Sequence, residues 1–150
     1  KIQTNFMTED EREAFLKNFS SQSDDNILGF GVLGGIFSEG IDLKGDSLIG
    51  AIIIGVGHPM ICFEREIIKE YYDNKSHLGY EYSYMYPGMN KVLQAAGRVI
   101  RTEEDRGTVL LIDDRFLKQR YIRLFPKEWE NYHIINNNTH VKNEVWEFWK

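Results

Sequence analysis

Ala51-Ile52-Ile53-Ile54-Gly55-Val56 and Thr108-Val109-Leu110-Leu111-Ile112 are the two stretches whose reading decides the architecture. Each is a short, unbroken apolar run rich in aliphatic residues, with Gly57-His58-Pro59 closing the first and Gly107 opening the second. Continuous runs of this length suit strands covered on both faces, as in a parallel sheet, rather than strands with one wet face. Both are predicted as central strands. Helical periodicity surrounds them: Phe63 to Tyr72, Met89 to Arg101 and Phe116 to Phe125 read as helices. Thr8 with Glu11 forms a capping box that opens a helix through Phe19, burying Phe15, Leu16 and Phe19. A strand is predicted over Asn26 to Leu33, and a short strand or turn over Ile134 to Asn138. Thr139 is predicted to cap a last helix bearing Val141, Val145, Trp146 and Trp149. This alternation argues for one three-layer α/β domain with a mainly parallel sheet over residues 1–150.

Composition narrows the function classes. With 42% hydrophobic residues in 150, the chain can bury one core, and no apolar run approaches the roughly 18 to 20 residues that cross a bilayer. The opening Lys1-Ile2-Gln3-Thr4-Asn5-Phe6 has no signal-peptide core, so a reducing, cytoplasmic setting is expected. Cys62 stands alone, which rules out a disulfide within the chain and leaves a zinc or iron–sulfur site without thiolates; a packing role is expected for it. A net charge of −5 counts against a free-standing nucleic-acid-binding module. Basic residues do gather between Arg98 and Arg123, offset by Glu103, Glu104, Asp105, Asp113 and Asp114.

Two segments carry candidate chemistry. On a helix from Met89 to Arg101, the apolar Met89, Val92, Leu93, Ala96, Val99 and Ile100 fall on one side and Gln94, Arg98 and Arg101 on the other. Two guanidiniums and a carboxamide on one face make a forked donor surface suited to phosphate oxygens. The bland alternative is a solvated face whose arginines suit a helix C-terminus. Gly97 costs such a helix about 1 kcal/mol relative to alanine, which a close approach of backbone or ligand would explain. The second segment, Gly34-Gly35-Ile36-Phe37-Ser38-Glu39-Gly40-Ile41-Asp42, follows a predicted strand, where open α/β sheets bind ligands. Asp42 can accept from a ribose and Ser38 can donate to a phosphate; equally, the segment can be a turn-rich connection.

Other patterns fail. Gly29-Phe30-Gly31-Val32-Leu33-Gly34 fits G-x-G-x-x-G, but it lies within or at the end of a strand and no acid follows the next strand to hold a ribose. No G-x-x-x-x-G-K-[ST] occurs, so the chain has no P-loop of its own. His58, His77, His133 and His140 lack metal-ligand spacing. Tyr80, Tyr82, Tyr84 and Tyr86 alternate, which in an extended segment would line one face for packing or for stacking on single-stranded bases.

Gly34 to Pro59 (GGIFSEGIDLKGDSLIGAIIIGVGHP) resembles motif V and its following strand in superfamily 2 helicases of the DinG/XPD-like kind. Gln94 to Arg101 (QAAGRVIR), followed by Asp105 to Arg115 (DRGTVLLIDDR), resembles their motif VI and the strand after it. The resemblance covers most of the chain and implies the second RecA-like lobe of an ATP-dependent DNA helicase. ATP and Mg²⁺ would be held mainly by an N-terminal lobe carrying the P-loop. It further implies that Arg98 and Arg101 reach the γ-phosphate and that Gln94 helps place them. Gly40, Asp42 and Glu39 would serve nucleotide contact and its coupling to DNA, with Ser38 on the nucleic-acid side. The expected partners are that N-terminal lobe and single-stranded DNA, with no membrane. The family's first strand and helix of the lobe are expected to lie before Lys1, and cysteines for any iron–sulfur cluster outside this chain. His58 departs from the pattern, standing where a leucine is expected. The alternative is a non-catalytic regulatory or interaction domain that keeps the fold.

Overall fold

The structure is a computed structural model that describes residues 1–4, 6–19, 26–35, 47–102 and 104–150. Its two strands, β1 (Gly50–Ile54) and β2 (Thr108–Ile112), pair directly and in parallel, from Gly50 opposite Thr108 to Ile54 opposite Ile112. A parallel pair needs a crossover rather than a hairpin. Here the crossover runs through α2 (Phe63–Ser76), a π-helical segment (Glu81–Met85) and α3 (Tyr86–Ala96). Before β1 lies α1 (Glu9–Lys17); after β2 come a 3-10 turn (Asp114–Leu117), the short α4 (Gln119–Ile122), a second 3-10 turn (Lys127–Trp129) and α5 (Asn138–Trp149). The α/β alternation is the one predicted.

The core forms where α3 lies on one face of the strands. Ile53 and Val56 meet Met85, Met89, Val92 and Ala96, and Phe116 and Tyr121 close the cluster from beyond β2. Each valine, isoleucine, methionine or phenylalanine among them, taken fully out of water, contributes roughly 1.5 to 3 kcal/mol. The expectation that both strands are central is corrected, because among the described residues each is an edge of a two-stranded sheet. Ile52 and Ile54 are 59% and 74% exposed while Ile53 is buried, so β1 is covered on one face. The apolar run is long enough for two covered faces, but α3 supplies cover to one.

Local signals explain most elements. The capping box forms as read, with the Thr8 amide donating to Glu11 Oε2 at 2.8 Å and the Glu11 amide to Thr8 Oγ1 at 3.3 Å. The helix it opens stops at Lys17. Residues 26–33 do not form the predicted strand: among the described residues their pairing is one bridge between Ile2 and Phe30. The Gln3 side chain takes the Val32 amide at 2.9 Å, where a further ladder bond would fall. The tyrosines from 80 to 86 lie on helix and π-helix rather than an extended segment, so they diverge. Tyr82 stacks on Tyr72 at 4.0 Å, Tyr84 donates to Glu66 at 2.5 Å, and Tyr80 meets Tyr121. Cys62 is exposed, at the N-cap of α2, so it is no packing residue. Residues 114–125 hold only short helical turns, 134–136 have no regular structure, and Asn137 rather than Thr139 caps α5, accepting from the His140 amide.

Gly88 is where α3 packs tightly on the chain just beyond β1. A Cβ there would fall 2.9 Å from the Val56 carbonyl oxygen and 2.8 Å from His58 Cδ2. Alanine gains about 1 kcal/mol over glycine in a helix, but the clash with fixed backbone outweighs that gain. Gly88→Ala is therefore expected to destabilise the domain by roughly 1 to 3 kcal/mol. A melting temperature at or above the parent's would show that α3 does not seat on β1 in this way.

Candidate functional site

The arginine-bearing segment is a turn, not a helical face. The helix α3 ends at Ala96, with Gly97 as its C-cap in ordinary right-handed geometry. The helix α3 has 11 residues, about 16 Å at 1.5 Å per residue, and the five-residue strands span about the same. Continuing it through Arg101 would add roughly one and a half turns. The chain instead tightens, the Arg98 and Val99 amides bonding to the carbonyls of Ala95 and Ala96, and turns towards β2. The reading that Gln94, Arg98 and Arg101 share one helical face is thus corrected. Gln94 is exposed on α3, while Arg98 sits half-buried in the turn and Arg101 half-buried in the non-helical stretch beyond it.

Contacts of Val99 and Asp105 help fix this turn. Val99 is 4% exposed and packs against Gly107, where a Cβ would fall 2.2 Å from Val99 Cγ1. Asp105 Oδ2 accepts from the Arg101 amide at 2.9 Å and the Thr102 amide at 2.8 Å. Those two backbone bonds, Arg101's first, hold the Asp105 carboxyl below its ordinary range. The Thr108 amide then bonds to the Ile49 carbonyl, and β2 begins. The turn therefore sits at the amino end of the strand pair. Ser38, Glu39, Gly40 and Asp42 lie outside the described residues.

A second polar cluster, which the sequence reading misses, occupies the carboxyl end. Gly55 and Gly57, with φ of 83° and 65°, lead β1 into His58. Just after β2, Asp113 holds Arg115 in a fork: Nε to Oδ1 at 2.8 Å and Nη2 to Oδ2 at 2.6 Å. Arg115 Nη1 lies 3.3 Å from His58 Nδ1. A guanidinium can only donate, so Nδ1 accepts and the ring proton sits on Nε2. Nε2 donates to the Tyr121 hydroxyl at 3.2 Å, which reaches the Tyr80 hydroxyl at 3.3 Å. Burial first, then Arg115, keeps His58 below its ordinary pKa. Burial also pushes Tyr121 up to about 12, helped by Tyr80. The one signal available in the sequence is position: an acid followed by an arginine directly after a buried strand, at the end where open α/β sheets place polar groups. A strand length of about 16 Å separates this cluster from the arginine turn, so the two are distinct. Among the described residues no group of three His, Cys, Asp or Glu can hold a metal ion, and no helix is long and apolar enough to cross a membrane.

A profile described as the helicase C-terminal domain matches residues 1–132. The chain belongs to this family. It is a DinG/XPD-like helicase C-terminal domain with a RecA-like α/β fold. It is 36% identical, over 70% of its length, to a Caenorhabditis elegans homolog of the regulator of telomere elongation helicase 1, of which the match covers 11%. It is 38% identical over 58% of its length to the ATP-dependent DNA helicase DinG of Photobacterium profundum, covering 13% of that protein. A probable ATP-dependent helicase of Methanocaldococcus jannaschii is 33% identical over 79% of the chain, with 20% of the relative covered. The helicase domain thus spans between about a tenth and a fifth of the curated relatives it matches.

The Asp113–Arg115 fork gives the helicase domain a defined acid response. Arg115 lowers Asp113 from 3.8 to about 2. A depressed carboxylate contributes stability that is complete above its unfolded pKa and lost as pH falls through the folded one. The domain should therefore lose this contribution between about pH 4 and pH 2. Arg115→Ala should lower stability at pH 7 and flatten that part of the profile, as read by denaturant melts at successive pH values. An unchanged acid limb would mean that the fork contributes nothing.

Proposed function

We propose that this chain is the second motor lobe of an ATP-dependent DNA helicase, coupling ATP hydrolysis to movement along single-stranded DNA and to duplex unwinding in repair or replication. The observation that carries the reading is the arginine turn. Arg98 and Arg101 sit on backbone fixed by Asp105 and by Val99 against Gly107. Donors set in advance stabilise developing charge without reorganising during the reaction. Two of the relatives are named as ATP-dependent helicases, which supports the same reading.

In this mechanism an N-terminal lobe of the same protein supplies the P-loop and the carboxylate for Mg²⁺. Mg²⁺ neutralises charge on the phosphates when bound. Arg98 and Arg101 approach the γ-phosphate from across the cleft, and their planar forks match two oxygens at once. Gln94, one turn before Gly97, contributes to nucleotide contact, as do Glu39, Gly40 and Asp42, with Ser38 facing the nucleic acid. Phosphoryl transfer is chiefly positioning and electrostatics, and an arginine in this role is worth about 10³ to 10⁵ in rate. Work on cellular DNA goes with a cytoplasmic, reducing setting, where the lone Cys62 stays a thiol.

In the full-length protein, Arg98→Ala and Arg101→Ala should each lower DNA-stimulated ATP turnover by at least about a hundredfold with the melting temperature little changed. Val99→Ala should instead cost about 1 to 3 kcal/mol of stability. Lysine should rescue neither arginine fully. The isolated chain, without a P-loop, should turn over no ATP. Parent-rate hydrolysis by both arginine variants would favour a non-catalytic interaction domain that keeps the helicase fold.

A further inference from the structure

The helix α5 lies beyond residue 132, where the match to the family stops. It nonetheless returns to the arginine turn. The Arg106 Nη2 donates to the Phe148 carbonyl at 2.5 Å, and its guanidinium lies 5.1 Å from the Phe148 ring and 5.6 Å from the Trp149 ring. Those rings stand edge to face, 88° apart, so one cation is held against two aromatic surfaces. A second tie, His133 Nδ1 to Glu144 Oε2 at 2.5 Å, fastens α5 to the segment that leads into it.

What α5 grips is the exit of the arginine turn. Arg106 stands between Asp105, which holds the Arg101 and Thr102 amides, and Gly107, which seats Val99. The Asp105 carboxylate can hold those amides only while the backbone from 105 to 107 keeps its course. Apart from α5, the turn's shape is held by contacts that include those of Asp105 and Val99.

We propose that α5 is a strap on the arginine turn and that Arg106 is a positioning residue: it acts through the backbone at Asp105 to hold Arg101 in place, without touching nucleotide. This rests on the reading of Arg98 and Arg101 given above. Planarity matters to the strap, because a guanidinium can stack on two rings while bonding to a carbonyl, which an ammonium cannot do equally well.

The test uses the full-length protein and two readouts, hydrogen–deuterium exchange at the amides of residues 101, 102 and 104–107, and the kinetics of DNA-stimulated ATP hydrolysis. Arg106→Ala and Trp149→Ala should each speed exchange in that window roughly tenfold, leaving β1 and β2 protected. Both should lower kcat about ten- to a hundredfold with little change in KM, since small misplacements of a charge-stabilising group have that effect. Arg106→Lys should recover only part of the loss. Trp146→Ala, at a ring 66% exposed and not against Arg106, should alter neither readout. Unchanged exchange in Arg106→Ala overturns the strap. Faster exchange with undiminished turnover, while Arg101→Ala abolishes turnover, overturns the positioning role. If Arg101→Ala also turns over at the parent rate, it is the arginine reading that fails, and faster exchange in Arg106→Ala still establishes the strap.

Discussion

The parallel register of β1 and β2 is the constraint on which the rest of the structure depends. Because Gly50 faces Thr108 and Ile54 faces Ile112, the chain leaving β1 at its carboxyl end must return to the amino end before β2 can start. Everything from Gly55 to Gly107 is that return path. It must cover a strand length of about 16 Å, and it does so with α3, which is equally long. Topology alone therefore delivers the segment after α3 to the amino end of the pair. The arginine turn occupies that end because no other place is open to it.

The carboxyl end solves a different problem. Two strands that stop together leave a polar backbone and a ring of side chains over a small core. Asp113, Arg115, His58, Tyr121 and Tyr80 settle it with one directed chain of hydrogen bonds. Its direction is set at the first link, since the guanidinium cannot accept, which leaves His58 Nε2 to donate to the Tyr121 hydroxyl; between Tyr121 and Tyr80 either hydroxyl can donate. Arg120, 5.3 Å and 5.5 Å from the Tyr80 and Tyr121 rings, adds a cation above them. Protonation of His58 would set two donors against each other. Burial first, and then this Arg115 contact, lower its pKa.

The elements legible in the sequence are those whose cause is local. The capping box at Thr8 and Glu11 needs only four residues, and the runs at Ala51 and Thr108 declare strands by composition. What covers a strand is not local: Ile52 and Ile54 read like Ile53, and only the position of α3 separates them. The end of α3 is hidden for the same reason. Val99 and Ile100 continue its apolar period past Gly97, so the pattern predicts a helix to Arg101, while the chain actually turns at Gly97 towards β2, with Val99 packed against Gly107. His58, Tyr80 and Tyr121 lie far apart in sequence and meet only through the parallel pairing. The helicase motifs single out Arg98 and Arg101 in the chain but not their geometry, because a motif records residue order and not the contact that bends it.

Both ends of α3 are seated by glycine. At its start, Gly88 admits the Val56 carbonyl and the His58 ring; just past its end, Val99 fills the space that Gly107 leaves open. A side chain at either glycine would push the helix off its partner, so α3 has little freedom to slide along the strands. The cluster at His58 and the turn at Arg98 are separate sites that lie beyond the two ends of one packed element, with Met89, Val92 and Ala96 in the core between them.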